Sequence, residues 1–290
     1  MGARPLRVCL SFDFDAMSLW GGSFAQFSPT PVSRGEFGAR VAVPRLLELL
    51  EREGAPATFF VPGHTIDTYP ALCRRILAGG HEVGHHGYFH EGPVTLSEAE
   101  ERAVLERGLA AMEANLDGYR PAGYRSPAWD LSPNTTRLLR EYGFLYDSSM
   151  MAQDLEPYWC RTGDAMPADR GFEFGPEIEL VEVPVSWSLD DFVQIEYVYA
   201  PGFLLPGGVS PEDAERRWLA EMDFAAEEVP GGVFTMTFHP QVIGRGARIR
   251  IVANMIRHAR EIGAELTTVG EVAREWARDA PAPAAQPSVE

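Results

Sequence analysis

Asp13 and Asp15 stand two apart near the start of the chain, and His86 and His90 stand four apart in His86-Gly87-Tyr88-Phe89-His90. Two imidazoles and a carboxylate are a donor set for a divalent metal that leaves positions open for water and substrate. Such a metal lowers the pKa of its water and polarises a carbonyl. A second carboxylate could then take the water's proton, and a histidine across the pocket could protonate the leaving group. Asp13 and His239 fit those two roles. Arg125, close to Pro127 and Trp129, is of the type that orients a carboxylate.

Each residue also has a plainer reading. Asp13 and Asp15 could cap the turn after a strand. His81 and His85 could be packing groups. His64, behind Pro62-Gly63, could close a turn, and Trp187 could be a core aromatic. His258 falls on a helical stretch that faces solvent. Singly none of them decides; their joint placement does.

That placement comes from the elements between them. Arg7-Val8-Cys9-Leu10-Ser11-Phe12 reads as a buried strand. Val41 to Glu53 carries Leu46, Leu47, Leu49 and Leu50 at helical spacing and stops at Gly54. Thr58 to Val61 is a strand, Pro70 to Ala78 a helix, and Glu82 to Gly84 a strand. A helix opens at Ser97 with Glu100 completing a capping box. Short strands follow at Gly123-Tyr124, Phe144 to Tyr146, Glu179 to Val185, Val233 to Phe238 and Glu265 to Thr268, with helices between them. Residues 150–176, rich in Asp, Pro and Gly, read as a long loop whose Tyr158 and Trp159 could roof a pocket. Apolar strands joined through helices predict the α/β class and a parallel sheet. Seven or eight strands at this length favour a (β/α) barrel over a doubly wound sheet, which lacks its Gly-x-Gly-x-x-Gly here. Asp13 and Asp15, His64, His86 and His90, Arg125, Asp147, Trp187 with Asp190 and Asp191, and His239 all follow strand ends. In a parallel barrel those ends form one rim, where active sites sit.

The chain has 290 residues and a formal charge of −17, from 25 basic and 42 acidic side chains. It contains no lysine, which excludes a lysine Schiff base and a phosphate-loop lysine. The acidic balance argues against nucleic acid, and no segment reaches the roughly 18 apolar residues of a membrane span. The short apolar run from Leu6 meets Ser11 and Asp13 too early for a signal-peptide core, so a cytoplasmic location is expected. Cys9, Cys73 and Cys160 form no Cys-x-x-Cys and are expected to be buried thiols. Residues 1–279 are expected to form one catalytic domain, and 280–290 a disordered tail.

With these residues in place, the sequence resembles the polysaccharide deacetylase family. Ser11-Phe12-Asp13-Phe14-Asp15 is similar to its Thr-Phe-Asp-Asp motif with one inserted residue. His86-x-x-x-His90, Arg125-Ser126-Pro127-Ala128-Trp129 and Phe238-His239-Pro240 resemble three further motifs, and Ser186-Trp187 with the following acids stands in place of a divergent fourth. The resemblance implies a deformed (β/α) barrel that hydrolyses amide bonds. It implies that Asp15, His86 and His90 hold a divalent metal, commonly zinc. Asp13 would be the general base, oriented by Arg125, and His239 the general acid. Substrate contacts are expected from His64, Tyr88, Trp129 and Trp187.

The variant motifs, with Phe60-Val61-Pro62-Gly63-His64, look like an intracellular branch that includes a peptidoglycan deacetylase, cyclic imide hydrolases and allantoinases. Some of its members work without a metal, so a metal-free site is also open. The first expectation is therefore a hydrolase of a small cyclic amide or imide, its partner a small-molecule amide and its assembly a homo-oligomer. A metal-dependent deacetylase of amino-sugar polymers is the second reading. A catalytically inactive binding barrel is the third.

Overall fold

Val8-Cys9-Leu10, with Phe12 beyond Ser11, makes the first strand apolar on both faces, as a strand covered on both sides must be. The computed structural model describes residues 4–200 and 202–284. Its strands are β1 (Arg7–Asp13), β2 (Thr58–Val61), β3 (Glu82–His85), β4 (Gly123–Tyr124), β5 (Tyr146–Asp147), β6 (Tyr158–Arg161), β7 (Glu177–Glu182), β8 (Val198–Ala200), β9 (Phe203–Leu205), β10 (Val233–Phe238) and β11 (Glu265–Thr267).

The main sheet runs β10-β1-β2-β3-β4-β5-β7-β6, with β11 also paired to β1. All pairings are parallel except that of β6 with β7, so eight of its strands are mutually parallel. β1 holds three partners by dividing its length. β10 follows it from Arg7 to Phe12, while β11 takes Arg7–Cys9 and β2 takes Ser11–Asp13 on the other edge. Between β7 and β10 the ring is bridged, not laddered. Val233 N–H donates to the Leu155 carbonyl at 2.8 Å, and Asp190 makes a single parallel bridge to Thr237. The fold is the deformed (β/α) barrel expected.

Helices cover the outside. Val43–Glu53 buries Leu46, Leu47, Leu49 and Leu50 and ends at Gly54, whose φ of +57° favours glycine. Ile249–Glu261 buries Ile251, Val252, Met255 and Ile256. Each such side chain contributes about 1.5–3 kcal/mol on burial. Glu98–Asn115 begins with the capping box read in the sequence, Ser97 and Glu100 bonding reciprocally.

Two readings need correction. Residues 150–176 are not one loop, because β6 lies inside them and adds an antiparallel edge to the sheet. Nor do Tyr158 and Trp159 roof a pocket. The Trp159 ring packs edge-on against Trp276 of the last helix, and the Tyr158 hydroxyl accepts the Ala152 N–H. Short elements also went unread: helices Ser18–Gly22, Pro29–Phe37, Gly63–Thr68 and Asp191–Ile195, and the β8–β9 hairpin. The tail expected from residue 280 is held at its start. Trp159 Nε1–H donates to the Pro281 carbonyl at 2.8 Å, and Ala284 N–H donates to Glu177 Oε2 at 2.8 Å. Residues 285–290 of that tail lie outside the described residues. Cys9, Cys73 and Cys160 are buried and free.

Candidate active site

β1 delivers both aspartates. Residues two apart on an extended chain share a face, and the inserted Phe14 between them turns into the core, fully buried. Its N–H donates to the Phe60 carbonyl at 2.8 Å, which extends the β1–β2 register one residue past Asp13. The insertion therefore leaves Asp13 and Asp15 on one side. Asp15 Oδ1 lies 3.4 Å from His86 Nε2 and 3.7 Å from His90 Nε2, and Asp13 Oδ2 lies 4.0 Å from His86 Nε2.

The two histidines come from the turn after β3. His86 Nδ1 lies 2.7 Å from the Arg125 carbonyl, an acceptor only, so Nδ1 carries the proton and Nε2 the lone pair. His90 is held likewise, with Nδ1 2.6 Å from Ser23 Oγ while that hydroxyl donates to the His90 carbonyl. Glu91 Oε2 accepts the N–H groups of Tyr88 and Phe89 and fixes the turn between them. His90 sits at φ +61°, a left-handed conformation that the surroundings impose. Gly22 is part of that imposition, since a Cβ there would meet the Phe89 carbonyl oxygen at 1.7 Å.

Arg125, fully buried after β4, is spent on position. Nε and Nη2 donate to the Ser148 carbonyl and hydroxyl at 2.9 and 3.0 Å, and Nη1 donates to Asp13 Oδ1 at 2.8 Å. His239, which directly follows β10, points Nε2 to within 4.0 Å of Asp13 Oδ2 and Asp15 Oδ2. Its Nδ1 lies 2.9 Å from Asp191 Oδ1.

The electrostatics separate these groups. Burial would raise Asp13, but the Arg125 guanidinium, with His86 and His239, outweighs it and holds the carboxyl below its ordinary 3.8. Burial drives Asp15 well above that value, with His239 pulling it back and Asp13 adding to the rise. Burial pushes His86 and His90 down, keeping both imidazoles neutral. Burial would lower His239 too, but Asp190, Asp191 and Asp15 raise it to about 10.

Asp15, His86 and His90 fit a divalent metal. Both Asp15 carboxylate oxygens are buried without a hydrogen-bond partner, and both histidines present an Nε2 lone pair beside them. Among the described residues a second group, Asp190, Asp191 and His239, also lies within metal-binding reach. In this group Asp190 Oδ1 caps helix Asp191–Ile195 through Phe192 N–H and Asp191 Oδ1 holds His239, while Asp191 Oδ2 is buried without a hydrogen-bond partner.

A cavity of about 530 Å³ opens on Asp13, His86, His90 and His239. Trp129 and Trp187 line it, stacked with centroids 4.3 Å apart. His64 and Tyr88 are not among its lining residues. His64 packs edge-on against Phe89 with Nδ1 on Ser18 Oγ at 3.2 Å, and Tyr88 donates to Asp67 and lies under Arg107. His81 and His85 are buried packing groups, against Phe59 and Tyr124. Ser23, Phe24, Phe192 and Phe203 line the cavity without a signal in the sequence, and Asp191, expected at the rim, holds His239. Only Asp191 left a signal, as half of an acidic pair behind Trp187.

At the carboxyl rim of such a barrel, a buried base facing a protonated histidine is a general acid–base pair that suits hydrolysis. Residues 35–146 match the model of the family described as polysaccharide deacetylase. The peptidoglycan deacetylase of Helicobacter pylori is 35% identical, over 96% of this chain and 99% of its own length. A peptidoglycan deacetylase-like protein of Gibberella zeae is 30% identical, over 97% and 89%. A polysaccharide deacetylase structure from Mycobacterium smegmatis superposes with a TM-score of 0.83 at 34% identity, covering 100% of this chain and 96% of that one. An allantoinase shares the fold at a TM-score of 0.78 and 22% identity, over 96% and 92%. The chain belongs to the polysaccharide deacetylase family, and it is a hydrolase of carbon–nitrogen amide bonds.

Proposed function

We propose that this chain hydrolyses a small amide, most simply a cyclic amide or imide, in the cavity above Asp13 and His239. The observation that carries this reading is the shape of the site. At about 530 Å³ the cavity lies within the roughly 300–1,000 Å³ of small-molecule sites, and the β8–β9 hairpin supplies Ala200, Phe203 and Leu205 to its wall.

Asp13, ionised and pinned through Oδ1 by Arg125, has Oδ2 free to accept the proton of an attacking water. His239 Nε2 carries a proton at neutral pH and gives it to the amide nitrogen as the carbon–nitrogen bond breaks. Asp15, His86 and His90 would hold a divalent cation, for which we propose zinc; it would acidify the water and polarise the carbonyl. Asp191 keeps the His239 proton-bearing face turned to the cavity. The cytoplasm is the compartment we propose, in keeping with three free buried thiols.

A second reading has its own support. The Helicobacter pylori relative is named a peptidoglycan deacetylase, and 35% identity over 96% of this chain makes an N-acetylated amino sugar a competing substrate. Purified protein assayed against succinimide, hydantoin, allantoin and N-acetylglucosamine oligomers separates the two. Ring opening supports the first reading, and acetate release confined to the oligomers replaces it with the second.

A further inference from the structure

One side of the cavity wall is aromatic. Starting from the reacting groups, Phe192 packs on His239 with ring centroids 5.0 Å apart. Phe24 stacks on Phe192 at 6.4 Å with an interplanar angle of 11°, and Phe203 closes on Phe24 at 5.5 Å. These rings form a continuous aromatic surface from the proton donor out to the β8–β9 hairpin. Leu19 and Leu205 fill its edges, while Ser23 is occupied by His90. Phe203 is 46% exposed, so part of that surface is left uncovered among the described residues.

Such a surface gives a hydroxyl group seated against its ring faces no hydrogen-bond partner. It suits an apolar or aromatic group, whose burial is favourable in proportion to the area removed from water. We propose that the substrate is an amide or imide bearing an apolar substituent of about phenyl size, seated on Phe24, Phe192 and Phe203. This deepens the small-amide reading and rests on it. The nitrogen faces His239, so the substituent lies on the aromatic side of the scissile bond.

The test uses the purified full chain and matched pairs: succinimide with N-phenylsuccinimide, and acetamide with acetanilide. N-acetylglucosamine oligomers are assayed in parallel. The phenyl member of at least one pair is expected to exceed its parent about tenfold or more in kcat/KM. In Phe203→Ser and Phe24→Ser that ratio should fall towards one, a readout that a general loss of activity does not mimic. Calorimetric binding of the same pairs gives the comparison where turnover is absent. Ratios of one or below overturn the inference and leave the small-amide reading standing. Acetate release from the oligomers alone overturns that reading, and equal binding within the pairs then removes the inference as well.

Discussion

His239 touches Asp191 twice, and both contacts fall on the same oxygen. Its Nδ1 lies 2.9 Å and its backbone N–H 2.8 Å from Asp191 Oδ1. The second contact fixes the carboxylate to the main chain of the residue that it serves. Ring orientation and tautomer are thereby set together, and Nε2 is left as the atom that gives the proton.

Asp191→Asn should remove the negative charge and confuse the tautomer while keeping the shape. Because Asp190, Asp191 and Asp15 raise His239 to about 10, losing one of them lowers it. The alkaline limb of kcat/KM should move to lower pH, since the acid form is lost earlier. The rate at neutral pH should fall about 10²- to 10⁴-fold. A pH profile that keeps its alkaline limb in place would refute the assignment.

Asp15 has two buried carboxylate oxygens without partners. In metal-free protein such a group destabilises the fold in its charged form. Its folded-state pKa is raised, so the destabilisation is absent at low pH and grows as the pH climbs past the ordinary carboxylate range. Metal-free Asp15→Asn should therefore melt higher than metal-free wild type at neutral pH. Added zinc should stabilise only the wild type, by about 2.7 kcal/mol at a free concentration a hundredfold above Kd. Equal zinc-induced shifts in the two proteins would remove Asp15 from the donor set.

Gly22 lets helix Ser18–Gly22 reach the backbone of the His86–His90 turn. A Cβ at this position would stand 1.7 Å from the Phe89 carbonyl oxygen and 3.0 Å from that of His90. Gly22→Ala must push the turn away, and His90 moves with it. Zinc affinity should fall about tenfold or more, with a loss of a few kcal/mol in stability. Gly92→Ala is the control: a Cβ there meets nothing within 4 Å, and affinity should not change. Metal titration by calorimetry reads both.

The catalytic half of the site was legible because parallel strands announce themselves. Each rim residue follows an apolar run, and alternation along β1 explains why an inserted Phe14 separates Asp13 from Asp15 in sequence without parting them in space. The enclosing half was not legible. β8 and β9 span three residues each, too few for periodicity to register, and Phe24 and Phe192 sit on short helices at Ser18–Gly22 and Asp191–Ile195 or just beyond. Their meeting depends on long-range ties such as Gln26 Nε2–H to the Tyr199 carbonyl at 2.7 Å. His64 follows β2 and Tyr88 lies inside the His86–His90 motif, but nearness along the chain does not fix which way a turn points its side chains.

Beneath Arg125 lies a second pair of carboxyl groups. Asp147 and Glu182 are partners across β5 and β7, both fully buried. Glu182 Oε1 accepts the N–H groups of Ser149 and Met150, and Asp147 Oδ1 accepts the Ser149 hydroxyl. Burial raises Asp147 to about 6 and, together with Asp147 itself, drives Glu182 well above its ordinary value. The native state thus retains protons here that the unfolded chain releases near pH 4. The pair's stabilising share is full below that range and declines as pH rises through 6 and beyond. Glu182→Gln replaces one acid by a neutral group, while Asp147 stays raised by its own burial. Measured by urea unfolding at saturating zinc, wild type should lose more stability than Glu182→Gln between pH 5 and pH 8, because the variant lacks the acid that burial and Asp147 raise. Parallel pH dependence in the two proteins would mean that the pair holds no shared proton. Because Ser148, which anchors Arg125, follows Asp147 directly, the same titration should also loosen the hold on Asp13.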